Sequence, residues 1–127
     1  MFEKEVAAGA AWLDEEYPGW EGRIDFSNLD ILYCEKCIIG QAVFGYVYEQ
    51  GTIADVVTDE NRWMIEPCQR GDRIMASNAV FYSLHDTPWR RAHGFELAEW
   101  SKVDGAALEA TWEALVKERY NSGLLSG

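Results

Sequence analysis

Cys34 and Cys37 are the residues whose type and spacing most directly suggest chemistry. A C-x-x-C serves three purposes. A tight turn lets two thiolates reach one Zn²⁺, which then needs two further ligands. The chain offers Cys68, His85 and His93, so Cys34, Cys37, Cys68 and His85 form one zinc set. Its spacing is poor for zinc, because structural zinc modules supply two short-spaced pairs. At a helix N-terminus the same pair becomes a redox centre, since the helix dipole lowers the thiol pKa. Thr87-Pro88 supplies the proline that a thioredoxin-like fold wants beside the pair. Trp does not precede Cys34, however, and no strand–helix–strand pattern surrounds it. The third purpose is packing. Free Cys is among the most buried residue types, and Cys34 and Cys37 sit one helical turn apart beside Ile38 and Ile39. We adopt packing, with no cofactor, and keep zinc and thiol redox as alternatives. A disulfide within the pair is disfavoured in a regular helix and in a reducing compartment.

Other chemistry-bearing residues are sparse. His85-Asp86 and His93 lie near Ser83, but closeness in sequence is not a triad. Neither G-x-G-x-x-G nor a P-loop occurs. Asp14-Glu15-Glu16 can attract a cation, although a charged helix end is ordinarily a solvated face. Arg90-Arg91, after Pro88-Trp89, is the one concentrated basic spot. With Trp63 and Trp89, Arg90 and Arg91 form a candidate surface for an acidic partner. The chain therefore reads as non-enzymatic.

Charge narrows the partners. Twenty-two acids against eleven bases give −11. Residues 1–35 carry much of the excess, with nine acids and two bases. Such a field repels phosphate backbones and disfavours direct nucleic-acid binding. It steers a basic protein partner inward, and it also keeps a small domain soluble. DNA mimicry needs regular acid spacing along an exposed face, and here the acids cluster only at Asp14-Glu15-Glu16.

The elements that must position these residues follow from periodicity. Val6, Ala10, Leu13 and Tyr17 make an apolar stripe over 3–16, widened by Trp12, weakened at Gly9 and stopped by Pro18-Gly19. Residues 34–44 predict a helix that is apolar almost all round, hence buried. Residues 31–33, 46–48 and 62–65 read as extended pieces. A short helix capped by Thr52 fits 52–59, and 72–84 leans to helix. Asp86-Thr87-Pro88 reads as a turn. Leu108, Trp112, Leu115 and Val116 define a closing helix over 105–120, with Asp104 as its N-cap and a Glu113–Lys117 ion pair. The predicted core is Trp12, Leu13, Trp20, Leu29, Ile38, Ile39, Leu108, Trp112 and Leu115.

At 127 residues and 48 % apolar composition, one domain spanning 1–127 is expected. The expected class is α+β, helix-rich, with amphipathic helices at both termini. No apolar run reaches the ~18 residues of a membrane span. The start, Met-Phe-Glu-Lys-Glu, lacks the features of a secretion signal. A cytoplasmic protein is therefore expected.

The order of several motifs resembles a family of small proteins encoded by actinobacteriophages and related prophages. The motifs are Trp12-Leu13-Asp14, Pro18-Gly19-Trp20, Ile24-Asp25, Leu29-Asp30, Cys34-x-x-Cys37 and Gly40-Gln41. Gly94-Phe95 and Leu108-x-x-x-Trp112-x-x-Leu115 extend the similarity. It covers roughly 8–45 and 94–119, and leaves Cys68 and both histidines outside. The resemblance implies a phage protein that binds a host bacterial protein, and it brings no catalytic residues. Exposed tryptophans can equally mark a homodimer.

Overall fold

The computed structural model describes residues 2–65 and 73–121. Among these the fold is all-α: six α-helices, joined by 3₁₀ and π segments, and no β-strand. The helices are α1 (Glu3–Glu16), α2 (Gly45–Gln50), α3 (Ile53–Val56), α4 (Arg73–Ser83), α5 (Thr87–Ala92) and α6 (Lys102–Asn121). The α+β expectation is thus corrected, and each presumed extended piece has a local reason to differ. Residues 31–33 turn because the Asp30 carboxylate accepts the Leu32 N–H at 3.0 Å and the Asp30 carbonyl accepts the Tyr33 N–H at 3.2 Å. Residues 46–48 belong to α2, which continues a helical stretch beginning at Ile38. Residues 62–64 lie within a 3₁₀ segment, Asp59–Met64, which Ile65 ends and the Arg62–Asp59 ion pair at 2.6 Å fastens. Short apolar runs fit either helix or strand by pattern, and tertiary packing decides between them.

The terminal helices form where the stripes predict. Val6, Gly9, Ala10 and Leu13 of α1 are buried, as are Leu108, Trp112 and Val116 of α6. Each fully buried Leu or Val contributes about 2 kcal/mol. Gly9 is costly for helix propensity but required by packing. A Cβ there would overlap the His93 carbonyl oxygen and sit 2.9 Å from Trp112 Cη2. The N-cap of α6 is Ser101 rather than Asp104: Ser101 Oγ accepts the Asp104 N–H at 3.0 Å. The Glu113–Lys117 pair forms at 2.8 Å. Asp86 does more than turn the chain. Its carboxylate accepts the Trp89 N–H at 3.0 Å and caps α5, whose first turn holds Pro88.

The core centres on the stretch before α2. Cys37, Ile38, Ile39, Ala42, Val43, Phe44 and Val47 are buried, which fits a helix apolar all round. A π-helical turn, Gly40–Phe44, runs directly into α2. The helix begins at Ile38, later than expected, and 34–37 form a turn laid against it. Trp20 and Trp112 are fully enclosed and meet edge to face at 5.7 Å. Their N–H groups are satisfied by Asp14 and by the Gly94 carbonyl. Leu13, Ile38, Ile39 and Leu108 join them, whereas Trp12, Leu29 and Leu115 are only partly buried around the cluster.

Candidate functional site

The cysteines are the first candidates to place. Cys37 lies just before the helix start. Its thiol donates to the Cys34 carbonyl and accepts the Gly40 N–H, each at 3.4 Å. A helix N-terminus lowers a thiol pKa, yet burial dominates and pushes Cys37 up to about 12. Burial likewise raises Cys34 to about 11, against a smaller lowering by the Arg90 charge. Neither is a thiolate at neutral pH, so nucleophilic thiol chemistry has no support in their surroundings. Cys68 lies outside the described residues. Among the described residues no three His, Cys, Asp or Glu side chains converge as a metal ion needs.

The histidines serve an aromatic stack. His85 stacks on Trp89 at 4.0 Å, and His93 stacks on it at 3.9 Å. Trp12 meets Trp89 edge-on at 5.2 Å. Trp89 is therefore half-buried and occupied. Ser83 Oγ accepts the Thr58 N–H at 3.0 Å and an Asn61 Nδ2 proton at 3.2 Å, clipping the 3₁₀ segment to the end of α4. The hydroxyl is thus engaged structurally.

Arg90 faces inward. It is 3 % exposed. Nε donates to Glu96 at 3.0 Å, and the other nitrogens donate to the carbonyls of Leu84 and His85 and to Thr87 Oγ1. It thereby satisfies carbonyls at the end of α4 and holds His85 in a left-handed backbone conformation, φ 55°. Arg91 is exposed and reaches the other oxygen of Glu96 at 3.6 Å. Trp63 is 64 % exposed on the 3₁₀ segment. The four proposed binding residues therefore divide: Trp63 and Arg91 face solvent, while Trp89 and Arg90 are built into the fold.

A different surface gathers the exposed apolar side chains. Leu32, Tyr33, Ile74 and Tyr82 are each more than half exposed, and all four line one groove of about 250 Å³. They are four of the eight large apolar side chains exposed among the described residues. One wall is α4, where Ile74, Asn78 and Tyr82 repeat every four residues. The other is the turn 32–35. That turn is fixed from three sides. Asp30 supplies the hydrogen bonds noted above, the Ile31 N–H donates to Glu109 of α6 at 3.0 Å, and Gly40 lies beneath it. A Cβ on Gly40 would overlap the Cys34 carbonyl oxygen. Tyr82 also lines a second groove, about 470 Å³, together with side chains that include Glu60, His85 and Asp86. A third groove, about 430 Å³ between α1 and α6, is floored by Val6, Ala7, Ala110, Ala114 and Leu115.

Sequence reasoning gave 72–84 only as leaning to helix and missed the joint exposure of Ile74 and Tyr82 on it. The available signal was the four-residue repeat on the face of α4 opposite Ala76 and Val80. No protein-family model matches the chain, no curated protein matches it in sequence, and no solved structure matches it. No helix among the described residues is long and apolar enough to cross a membrane.

Proposed function

We propose that this chain is a non-enzymatic, acidic binding protein that docks on another protein through the groove of Leu32, Tyr33, Ile74 and Tyr82. The supporting observation is the convergence of these four exposed apolar side chains on one rigidly held groove. Scattered apolar residues are ordinary on a protein surface, whereas a contiguous patch marks an interaction site. The resemblance to actinobacteriophage proteins adds the setting: a phage protein acting in the bacterial cytoplasm on a host protein. The net charge of −11 disfavours nucleic acid as the partner.

The test is affinity capture from host lysate with the wild-type chain and with a Leu32→Ser/Ile74→Ser variant. Both side chains are exposed, so the variant should keep its melting temperature to within the spread of surface substitutions. A host protein retained by the wild type and lost by the variant supports the reading. Identical retention by both chains, or dimerisation of the wild type alone in light scattering, contradicts it.

A further inference from the structure

Tyr82 lines two grooves. One also takes in Leu32, Tyr33 and Ile74. The other also takes in Glu60 and Asp86, both of them exposed. The basic residue of that second groove, Arg90, is buried, and its charge is neutralised by Glu96 at 3.0 Å. His85 is turned onto the Trp89 ring. The charge that a visitor meets there is therefore negative, on a chain whose net charge is −11.

We infer that the partner presents a two-part segment. A bulky apolar side chain fills the groove of Leu32 and Ile74, and an Arg or Lys close to it in sequence enters the second groove that Tyr82 lines, to meet Glu60 and Asp86. This rests on the docking face proposed above and adds the chemistry of what docks. The two halves contribute differently. Enclosing a Leu-sized side chain is worth about thirtyfold in affinity. An exposed ion pair adds about fivefold at most. The apolar half therefore sets most of the affinity, and the acidic half sets the choice of partner and the speed of encounter. A second copy of the chain is a poor occupant, because two surfaces of the same strong negative sign repel.

Short synthetic peptides on a Gly-Ser background test this with amide chemical-shift mapping on the full chain. One set carries Leu and Arg at graded separations, a second Leu and Glu, and a third Leu alone. The best Leu–Arg peptide should shift amides in both grooves and bind about threefold to fivefold more tightly than Leu alone. The Leu–Glu peptides should bind more weakly than Leu alone. Glu60→Gln should remove much of the Arg advantage, raised salt should do the same, and neither should affect the Leu peptide. If Leu peptides shift the Ile74 side while Arg adds nothing, the two-part segment is wrong and the docking face survives. If Leu alone shifts nothing and Arg peptides bind equally to the Ile74→Ser variant, attraction is by charge only and both readings fall.

Discussion

Arg119, near the end of α6, holds Asp14, near the end of α1, through two hydrogen bonds of 2.8 and 2.9 Å. The same guanidinium donates to Glu21 at 3.2 Å, and the Trp20 indole N–H donates to Asp14 at 3.0 Å. One cation thus ties the first helix, the buried Glu21 and the last helix together. The ordering is consistent along both helices, since Gly9 faces Trp112 as Asp14 faces Arg119.

Replacing Arg119 with Ala should destabilise the fold by about 2–3 kcal/mol in urea unfolding. Losing the partner of a buried charge costs about 3–5 kcal/mol, and the partial exposure of Asp14 reduces that figure. Arg119→Lys should recover only part, because a point charge cannot reproduce the fork. The pH dependence has a definite sign. Burial raises the Asp14 pKa, but the Arg119 and Trp20 hydrogen bonds and the Arg119 charge outweigh it, so the net shift is downward. Its contribution is therefore present above the ordinary value of 3.8 and is lost as pH falls through the depressed folded value. Acid unfolding of Asp14→Asn should lack that proton-linked component.

Gly40→Ala separates helix propensity from packing. Propensity alone favours Ala by about 1 kcal/mol. A Cβ at this position would overlap the backbone of Cys34 and Glu35. Backbone atoms yield less readily than side-chain ends, so the net effect should be a loss of about 2–3 kcal/mol, typical of overpacking. Because the turn 32–35 would be displaced, amide shifts of Leu32 and Tyr33 should move as well.

Arg90 and Arg91 are neighbours with opposite fates. Arg90→Ala leaves Glu96 without its buried partner and uncaps the Leu84 and His85 carbonyls. About 3–4 kcal/mol should be lost. Arg91→Ala removes an exposed 3.6 Å contact and should cost less than about 1 kcal/mol. Comparable losses in thermal unfolding would mean that Arg90 is not the keystone of the α4–α5 corner.

The cysteines should resist alkylation in the native state. With folded values of about 11 for Cys34 and about 12 for Cys37, the reactive thiolate is scarce at neutral pH. Both values lie above the ordinary 9.0. The stability linked to them is therefore fully present below pH 9 and is lost as pH rises toward 11 and 12. Thiol titration with and without urea measures both effects. Rapid native labelling of Cys37 would contradict its enclosed position.

The terminal helices and most of the core were legible because α1 and α6 carry regular stripes, and because Trp20, Trp112, Ile38 and Ile39 have nowhere else to go. The all-α class was not legible. Tyr46, Val47 and Tyr48 have strand-like composition, and only the buried helix ahead of them recruits them into α2. The candidate groove was equally hidden, since Leu32 and Tyr33 become exposed through an Asp30 side-chain turn that pattern alone does not reveal. Arg90 pointed the other way. A basic pair beside Trp89 suggested a surface, whereas six residues downstream Glu96 draws the first arginine inward.

A photo-crosslinking residue placed at Ile74, beside the same residue at exposed Ala11 on α1, addresses the docking face most directly. Irradiation in host lysate should join a protein to the Ile74 chain and leave the Ala11 chain without that adduct. The same adducts from both positions, or none from Ile74, would mean that the groove beside Tyr82 is not where this protein meets its partner.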